Sequence, residues 1–355
     1  MKYFFGFLFV PFFVYPSLNK ISINDINSHS GSIIVVNDKY YLFGEYRVNN
    51  DGKTRTPNNQ KITLYSSTDL IHWSKENDPI DLTKDPNDFE VERPKILFDK
   101  NGSIYSLYFH VQPHRKFSQG VGLLGIATSK DITGPYRVIG YYQIATGKKA
   151  STTQYSYEVD DGWKRKADGF YHDSIKLGQE LRDFYAFDLY GDTYVVYSAE
   201  EGYSVQLAKI DLKNSFAINT FHRLLVGERH EAPIYFSGFN KHYFVFSDIS
   251  GYRPSESKLY SFDIKNKKLN YISPFARGNQ MDVKTTFQSQ PAFVFKCINT
   301  GKLIYVADKW LYKDKLKYIW KSKYVWAEIN GIVIRYHILT RRHLKKIIFA
   351  SNYYE

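Results

Sequence analysis

The sequence predicts an all-β protein, a five-bladed β-propeller, on three observations. Aromatic residues make up 17% of the 355-residue chain, with 31 Tyr and 26 Phe, and such side chains favour pleated, half-buried surfaces. Apolar and polar residues alternate in short runs separated by Gly or Asn turns, which is the period of strands. The runs fall into five similar sets, and repeats of about 50 residues with three or four short strands each mark a propeller.

The elements follow in order. Lys2 precedes an apolar run from Tyr3 to Tyr15, and Ser17 to Lys20 make a polar exit. That run is shorter than the ~20 residues a spanning helix needs. Residues 1–20 therefore read as a signal peptide, with a secreted or periplasmic protein and no membrane span expected. The propeller is expected over residues 21–340. Its first repeat has strands at Ser32–Val36, Lys39–Glu45 and Ile62–Ser67, closing at Thr68–Trp73. The second runs through Glu92–Phe98, Ser103–Val111 and Val121–Ser129, closing at Asp131–Tyr136. The third has Arg182–Phe187, Thr193–Ser198 and Ser204–Ile210. The fourth opens at His230–Phe236 and returns through His242–Ser247; the fifth opens at Ser289–Phe295 and returns through Lys302–Ala307.

Two segments break the pattern. Residues 143–179 carry Lys148-Lys149, Asp160-Asp161 and Lys164-Arg165-Lys166 with little apolar periodicity. They read as a long insertion, either mobile or a rim of the binding face. Leu311–Lys323 reads as a basic, aromatic loop in the last repeat, Gly331–His337 as a closing strand, and residues 341–355 as a basic tail.

Charge and cysteine usage narrow the function classes. The net charge is +12, from 48 Lys and Arg against 36 Asp and Glu. Nucleic acid, an anionic membrane or an acidic polymer outside the cell are the partners such a surface attracts. The basic residues are spread out, apart from Arg341–Lys346, and no nucleic-acid module accompanies them, so no nucleic-acid partner is expected. Cys297 is the single cysteine, which excludes a disulfide framework and a cysteine-based zinc module. The histidines form no ligand motif. Neither metal nor other cofactor is expected, and nothing in the sequence fixes the oligomeric state.

The chemistry lies at the openings of the repeats. The first strand of each propeller blade lines the axis, so the residues that start those strands converge: His29, Glu92, Asp183, Glu231 and Gln290. Carboxylates brought close repel, and one of them holds its proton near neutral pH. Two acids with separated pKa values are what acid-assisted glycoside cleavage uses. The alternative is structural, since Arg93, Arg182 and Arg229 stand beside or near these acids and could form blade-to-blade ion pairs. Adjacent strand residues face opposite sides, however, so a sequence neighbour is not the natural partner.

At these residues the sequence resembles glycoside hydrolase family 43, a family of five-bladed propellers, and within it the exo-β-1,3-galactanase branch. The matching pieces include Ile26–Gly31, Phe43-Gly44-Glu45, Tyr65–Leu70, Glu92–Lys95, Tyr108-Phe109-His110, Arg182-Asp183, Tyr197–Glu200, His230–Pro233, Thr285–Gln290, Ala307–Trp310 and Tyr324-Val325-Trp326. Each is weak alone; their order and spacing are specific. The resemblance implies Glu231 as general acid, Asp183 as its tuner and Gln290 as the group that positions water. It further implies that Glu92, Glu45 and Glu200 hold sugar hydroxyls, with Asp308 placed beside them in the sugar site. Tyr108, Tyr252 and Trp310 are candidate sugar platforms, and His29 and His110 candidate hydroxyl partners. The chain departs from the family at His29, where most members have an aspartate base. Ser30 and Ser32 stand where the branch tends to have glycine, and the 143–179 insertion has no clear counterpart. The implied activity is inverting, exo-acting hydrolysis of β-1,3-galactan or related galactan side chains in an oligo- or polysaccharide. An α-L-arabinofuranosidase, a β-xylosidase and an inactive glycan-binding propeller are the alternatives.

Overall fold

The structure is a computed structural model and describes residues 21–48, 59–100, 102–113, 122–157, 159–211, 217–312 and 318–338. The expected signal peptide, the basic tail and part of the 311–323 loop lie outside these residues.

Five twisted sheets surround one axis. The first contains β1 (Ile21–Ser22), β2 (His29–Val36), β3 (Lys39–Glu45), β4 (Lys61–Ser67), β5 (His72–Lys75) and β6 (Ile80–Asp81), ordered β1-β5-β4-β3-β2 with β6 beside β4. The second contains β7 (Phe89–Asp99), β8 (Ile104–Pro113), β9 (Leu123–Ser129) and β10 (Arg137–Tyr142). After β11 (Thr152–Tyr155) and the helix α1 (Asp161–Ser174), the third sheet is built from β12 (Phe184–Leu189), β13 (Asp192–Ala199), β14 (Ser204–Asp211) and β15 (Ala217–Val226). The fourth contains β16 (His230–Gly238), β17 (Lys241–Asp248), β18 (Ser257–Asp263) and β19 (Lys268–Pro274). Then β20 (Ala276–Arg277) and the short helix α2 (Gln280–Thr285) lead to β21 (Gln290–Lys296), β22 (Leu303–Lys309), β23 (Lys323–Asn330) and β24 (Val333–Ile338) of the fifth.

The first strands form the inner ring: β2 packs on β7, β7 on β12, β12 on β16, β16 on β21, and β21 on β2. Apolar side chains fill the wedges between blades, as with Phe187 stacked on Tyr235 at 4.1 Å between the third and fourth. This is the expected five-bladed propeller.

Two segments differ from the sequence reading. The 143–179 insertion is built rather than loop-like. Its strand β11 adds to the rim of the third sheet parallel to β15, and α1 starts at Asp160, whose side chain accepts from the Gly162 amide. The weak apolar period of this stretch reflects a one-sided cover, since only Ala167 and Tyr171 of α1 are buried. The expected closing strand is β24, a rim strand of the last blade. First and last blades are joined by side chains instead. The Tyr324 hydroxyl donates to Ser28 O at 2.8 Å, and the Ser30 amide donates to Asp308 Oδ2 at 2.8 Å.

Candidate active site

The inner strands begin with an irregularity that shapes the site. Register shifts fall between His29 and Ser32, Glu92 and Lys95, Glu231 and Ile234, and Pro291 and Phe293. Ser30, Arg93 and Ala232 there adopt left-handed backbone, with φ of 49°, 52° and 51°. Such bulges re-aim side chains, and here they turn the residues at the strand starts toward one end of the axis. The left-handed φ of Ser30 explains why glycine is the expected residue there, because such a φ is costly for a residue with a Cβ. Backbone and hydroxyl bonds from Ser30 to Asp308 hold the turn.

The result is a cavity of about 400 Å³ whose wall includes Glu92, Asp183, Glu231, Gln290, His110, Tyr252 and Trp310. Residues from four blades, 198 positions apart between Glu92 and Gln290, meet in one concave, polar site. Three of the five expected strand-start residues are the acids, Gln290 is the fourth, and His29 is not on the wall.

Arg93 occupies the centre. Its Nε lies 2.6 Å from Asp183 Oδ1, one terminal nitrogen donates to Gln290 Oε1 at 2.9 Å, and its amide donates to Glu45 Oε2 at 2.9 Å. Asp183 Oδ2 accepts from the Ala232 amide at 3.0 Å, so Asp183 is fixed against the residue after Glu231. Glu231 Oε1 accepts from Gln290 Nε2 at 2.9 Å and weakly from the Ser250 amide at 3.4 Å. Burial raises the Glu231 carboxyl, the Asp183 charge raises it further, and Arg93 and the hydrogen bonds lower it; the balance leaves it at about 7. Both bonds fall on Oε1, so the proton belongs on Oε2, which has no hydrogen-bond partner among the described residues.

Gln290 differs from expectation. Its oxygen already accepts from Arg93 and from Trp310 Nε1 at 2.7 Å. A carbonyl has two lone pairs, so the amide keeps only one N–H for a water or hydroxyl. Glu92 also lines the wall, with Arg47 at 3.3 Å and His110 Nδ1 at 3.5 Å. Burial pushes its pKa up, but His110, Arg47 and Arg93 outweigh that and hold it at about 2. The His110 Nε2 is buried with no hydrogen-bond partner among the described residues. Tyr252 receives a hydrogen bond from Arg47 at 3.1 Å and stands edge-on to Trp310.

Five residues expected to touch sugar lie behind the wall. Tyr108 is 1% exposed in the apolar cluster between the second and third blades. His29 is sealed by Asp308, 2.8 Å from its Nδ1, and stacks on Tyr324. Asp308 is consumed by that contact and by Ser30. Glu45 is fully buried and holds Arg47 and the Arg93 amide. Glu200 is taken by Arg223, bidentate at 2.7 and 2.9 Å. The common cause is pairing: each polar group found a protein partner one layer below the cavity, where an unpaired charge is costly.

The sequence reading missed the arginines of the cavity, Arg47 and Arg93 among the acids and Arg182 and Arg229 on the wall. By strand alternation Arg93 is expected to face away from its neighbour Glu92. Its ion pair is with Asp183 of the neighbouring blade rather than with Glu92, because the bulge turns it that way. Strand alternation holds no signal for that turn.

No family model and no curated protein matches the chain. Solved structures do. A family 43 β-1,3-galactosidase with galactodeoxynojirimycin is 23% identical over 88% of this chain and 95% of its own, with a TM-score of 0.76. The fold is that of the family 43 galactanases. An exo-β-1,3-galactanase from Clostridium thermocellum is 21% identical, at a TM-score of 0.68, over 87% of this chain and 61% of its own. A galactanase from Phanerochaete chrysosporium with β-1,3-galactotriose is 20% identical, at 0.65, over 90% of this chain and 65% of its own. Solved members of the branch named by the sequence resemblance thus share this architecture, as does a β-xylosidase, 12% identical at a TM-score of 0.60.

Proposed function

We propose that this propeller is a glycoside hydrolase that removes terminal galactose from β-1,3-galactan, with Glu231 as general acid. The observation that carries the reading is Glu231 itself, a carboxyl poised at about 7 with one oxygen anchored and the other free inside the cavity. A general acid works best when its pKa lies near the operating pH. Asp183 keeps that proton in place by charge and fixes the backbone beside it. Glu92, ionised and flanked by His110, suits acceptance of sugar hydroxyl protons. The solved relatives hold galactose-type ligands and β-1,3-galactotriose, which supports galactose over arabinose or xylose.

Acid assistance then supplies the leaving-group proton, and the charged wall stabilises an oxocarbenium-like transition state. No carboxylate stands at the His29 position to activate water, so water attack relies on placement by the remaining Gln290 N–H and the bound sugar. Inversion and the exo mode belong to this proposal. Incubation with β-1,3-galactan, followed by NMR of the released sugar, tests it: α-galactose should appear first. Glu231→Gln should lower the rate by at least about a hundredfold, and an unchanged rate would remove Glu231 from the mechanism.

One observation favours a second reading. With the oxygen of Gln290 saturated and His29 sealed, neither of these two positions can take a proton from water, as in a propeller that binds glycan and does not cut it. That reading predicts galactoside binding by calorimetry with no turnover on any β-galactan.

A further inference from the structure

A second cavity of about 600 Å³ adjoins the first, and both have Arg229 and Ile249 in their walls. The insertion builds its far side, contributing Tyr155, Tyr157 and Trp163, with Tyr271 of β19 across from them. These rings are 44%, 97%, 40% and 54% exposed. Packing does not account for so much uncovered aromatic surface around one concavity, whereas rings of this kind suit the apolar faces of sugars.

Arg229 at the junction differs from the other arginines of the first cavity. Arg47 is paired with Glu45 and Glu92, Arg93 with Asp183, and Arg182 with Glu180 and Glu201. Among the described residues Arg229 has no carboxylate partner. It lies over the Tyr203 ring at 4.9 Å, and its Nε is buried with no hydrogen-bond partner. Tyr203 is itself held by α1, stacked on Phe170 at 6.1 Å and edge-on to Trp163. Stacking covers the face of a guanidinium and leaves its N–H edge for a planar anion. The nearby acids are already engaged. Glu228 accepts from Tyr260 and pairs with His230 at 2.7 Å, and Asp248 pairs with Lys258 at 3.1 Å.

We propose that the second cavity receives the part of the glycan beyond the bond cut in the first, and that Arg229 binds the carboxylate of a uronic acid carried there. The inference rests on the galactan reading above and names its substrate as an acidic, branched galactan. The net charge of +12 favours approach of such a polymer.

The test uses binding rather than turnover, in the Glu231→Gln protein. The probes are a β-1,3-galactooligosaccharide with a glucuronic-acid-capped 1,6-branch and the same compound with its carboxyl reduced to the alcohol. Calorimetry should show the acidic form about tenfold tighter, the scale of one charge-assisted hydrogen-bond pair. Adding Arg229→Gln should bring the ratio to about one, and Arg229→Lys should keep part of it. Equal affinities before any change at Arg229 would overturn the inference, even if the Arg229 variants failed to fold. A ratio that survives Arg229→Gln would overturn it too. The two readings fail separately: no galactose release from any galactan sinks the hydrolase, while the affinity ratio still judges Arg229.

Discussion

Glu231 feels Asp183 and Arg93 with opposite sign, and burial together with Asp183 prevails. Two consequences can be measured. The catalytic form is the protonated one, so kcat/KM should be level below about pH 7 and fall above it. Asp183→Asn removes the repulsion and releases Arg93 from its partner, and both changes favour the Glu231 anion. The alkaline limb of the pH–rate profile should move down by at least about one unit; a limb that stays in place would assign it to another group. The second consequence concerns stability. The folded carboxyl holds its proton to about pH 7 whereas an unperturbed one loses it near 4.5, so stability falls as pH rises through that window. Glu231→Gln carries no such charge. Its Tm should exceed that of the parent by a few degrees at pH 8 and match it at pH 4.

At the scale of elements, the bulged starts of the inner strands and the insertion do separate jobs. The bulges aim Glu92, Arg93 and Glu231. The insertion is clamped by Arg223, 2% exposed, which reaches Glu200 with two nitrogens and Asp168 of α1 at 3.0 Å with a third. Its guanidinium also lies 4.1 Å from the Tyr171 ring of α1. Arg223→Met should leave Glu200 buried without its main partner and cost about 3–5 kcal/mol. Hydrogen exchange should rise across residues 161–174 before the inner strands respond; uniform exchange throughout the chain would show that the clamp is not local. The strands that the sequence reading passed over are mainly rim strands. In β10 the sequence Arg137–Tyr142 has no fully buried residue, and in β19 only Leu269 is buried. A strand with one weakly covered face lacks the alternation by which strands are read.

At the scale of the molecule, the ring is closed without a strand shared between first and last blades among the described residues. Asp308 therefore has a structural place, receiving the Ser30 amide and facing His29 across that seam. Asp308→Ala would strand two buried polar groups, at about 1–3 kcal/mol each. Thermal denaturation should show a corresponding loss of Tm, with Asp308→Asn losing less; a neutral Asp308→Ala would return Asp308 to the list of sugar ligands.

The sequence alone determined the five repeats, the strand starts and the meeting of Glu92, Asp183, Glu231 and Gln290, because period and position in a propeller fix which residues face the axis. Only the tertiary structure decided which polar residues stay free for a ligand. Glu45, Glu200, His29 and Asp308 look like site residues by type and place, yet each is engaged by a protein partner: Glu45 by Arg47, Glu200 by Arg223, and His29 and Asp308 by one another. Arg93 looked like a mere neighbour, and a left-handed turn of the backbone put it at the centre. Pairing of buried charge depends on how side chains meet in three dimensions, within a blade for Glu45 and Glu200 and between blades for His29 and Arg93, and strand period alone does not encode those meetings.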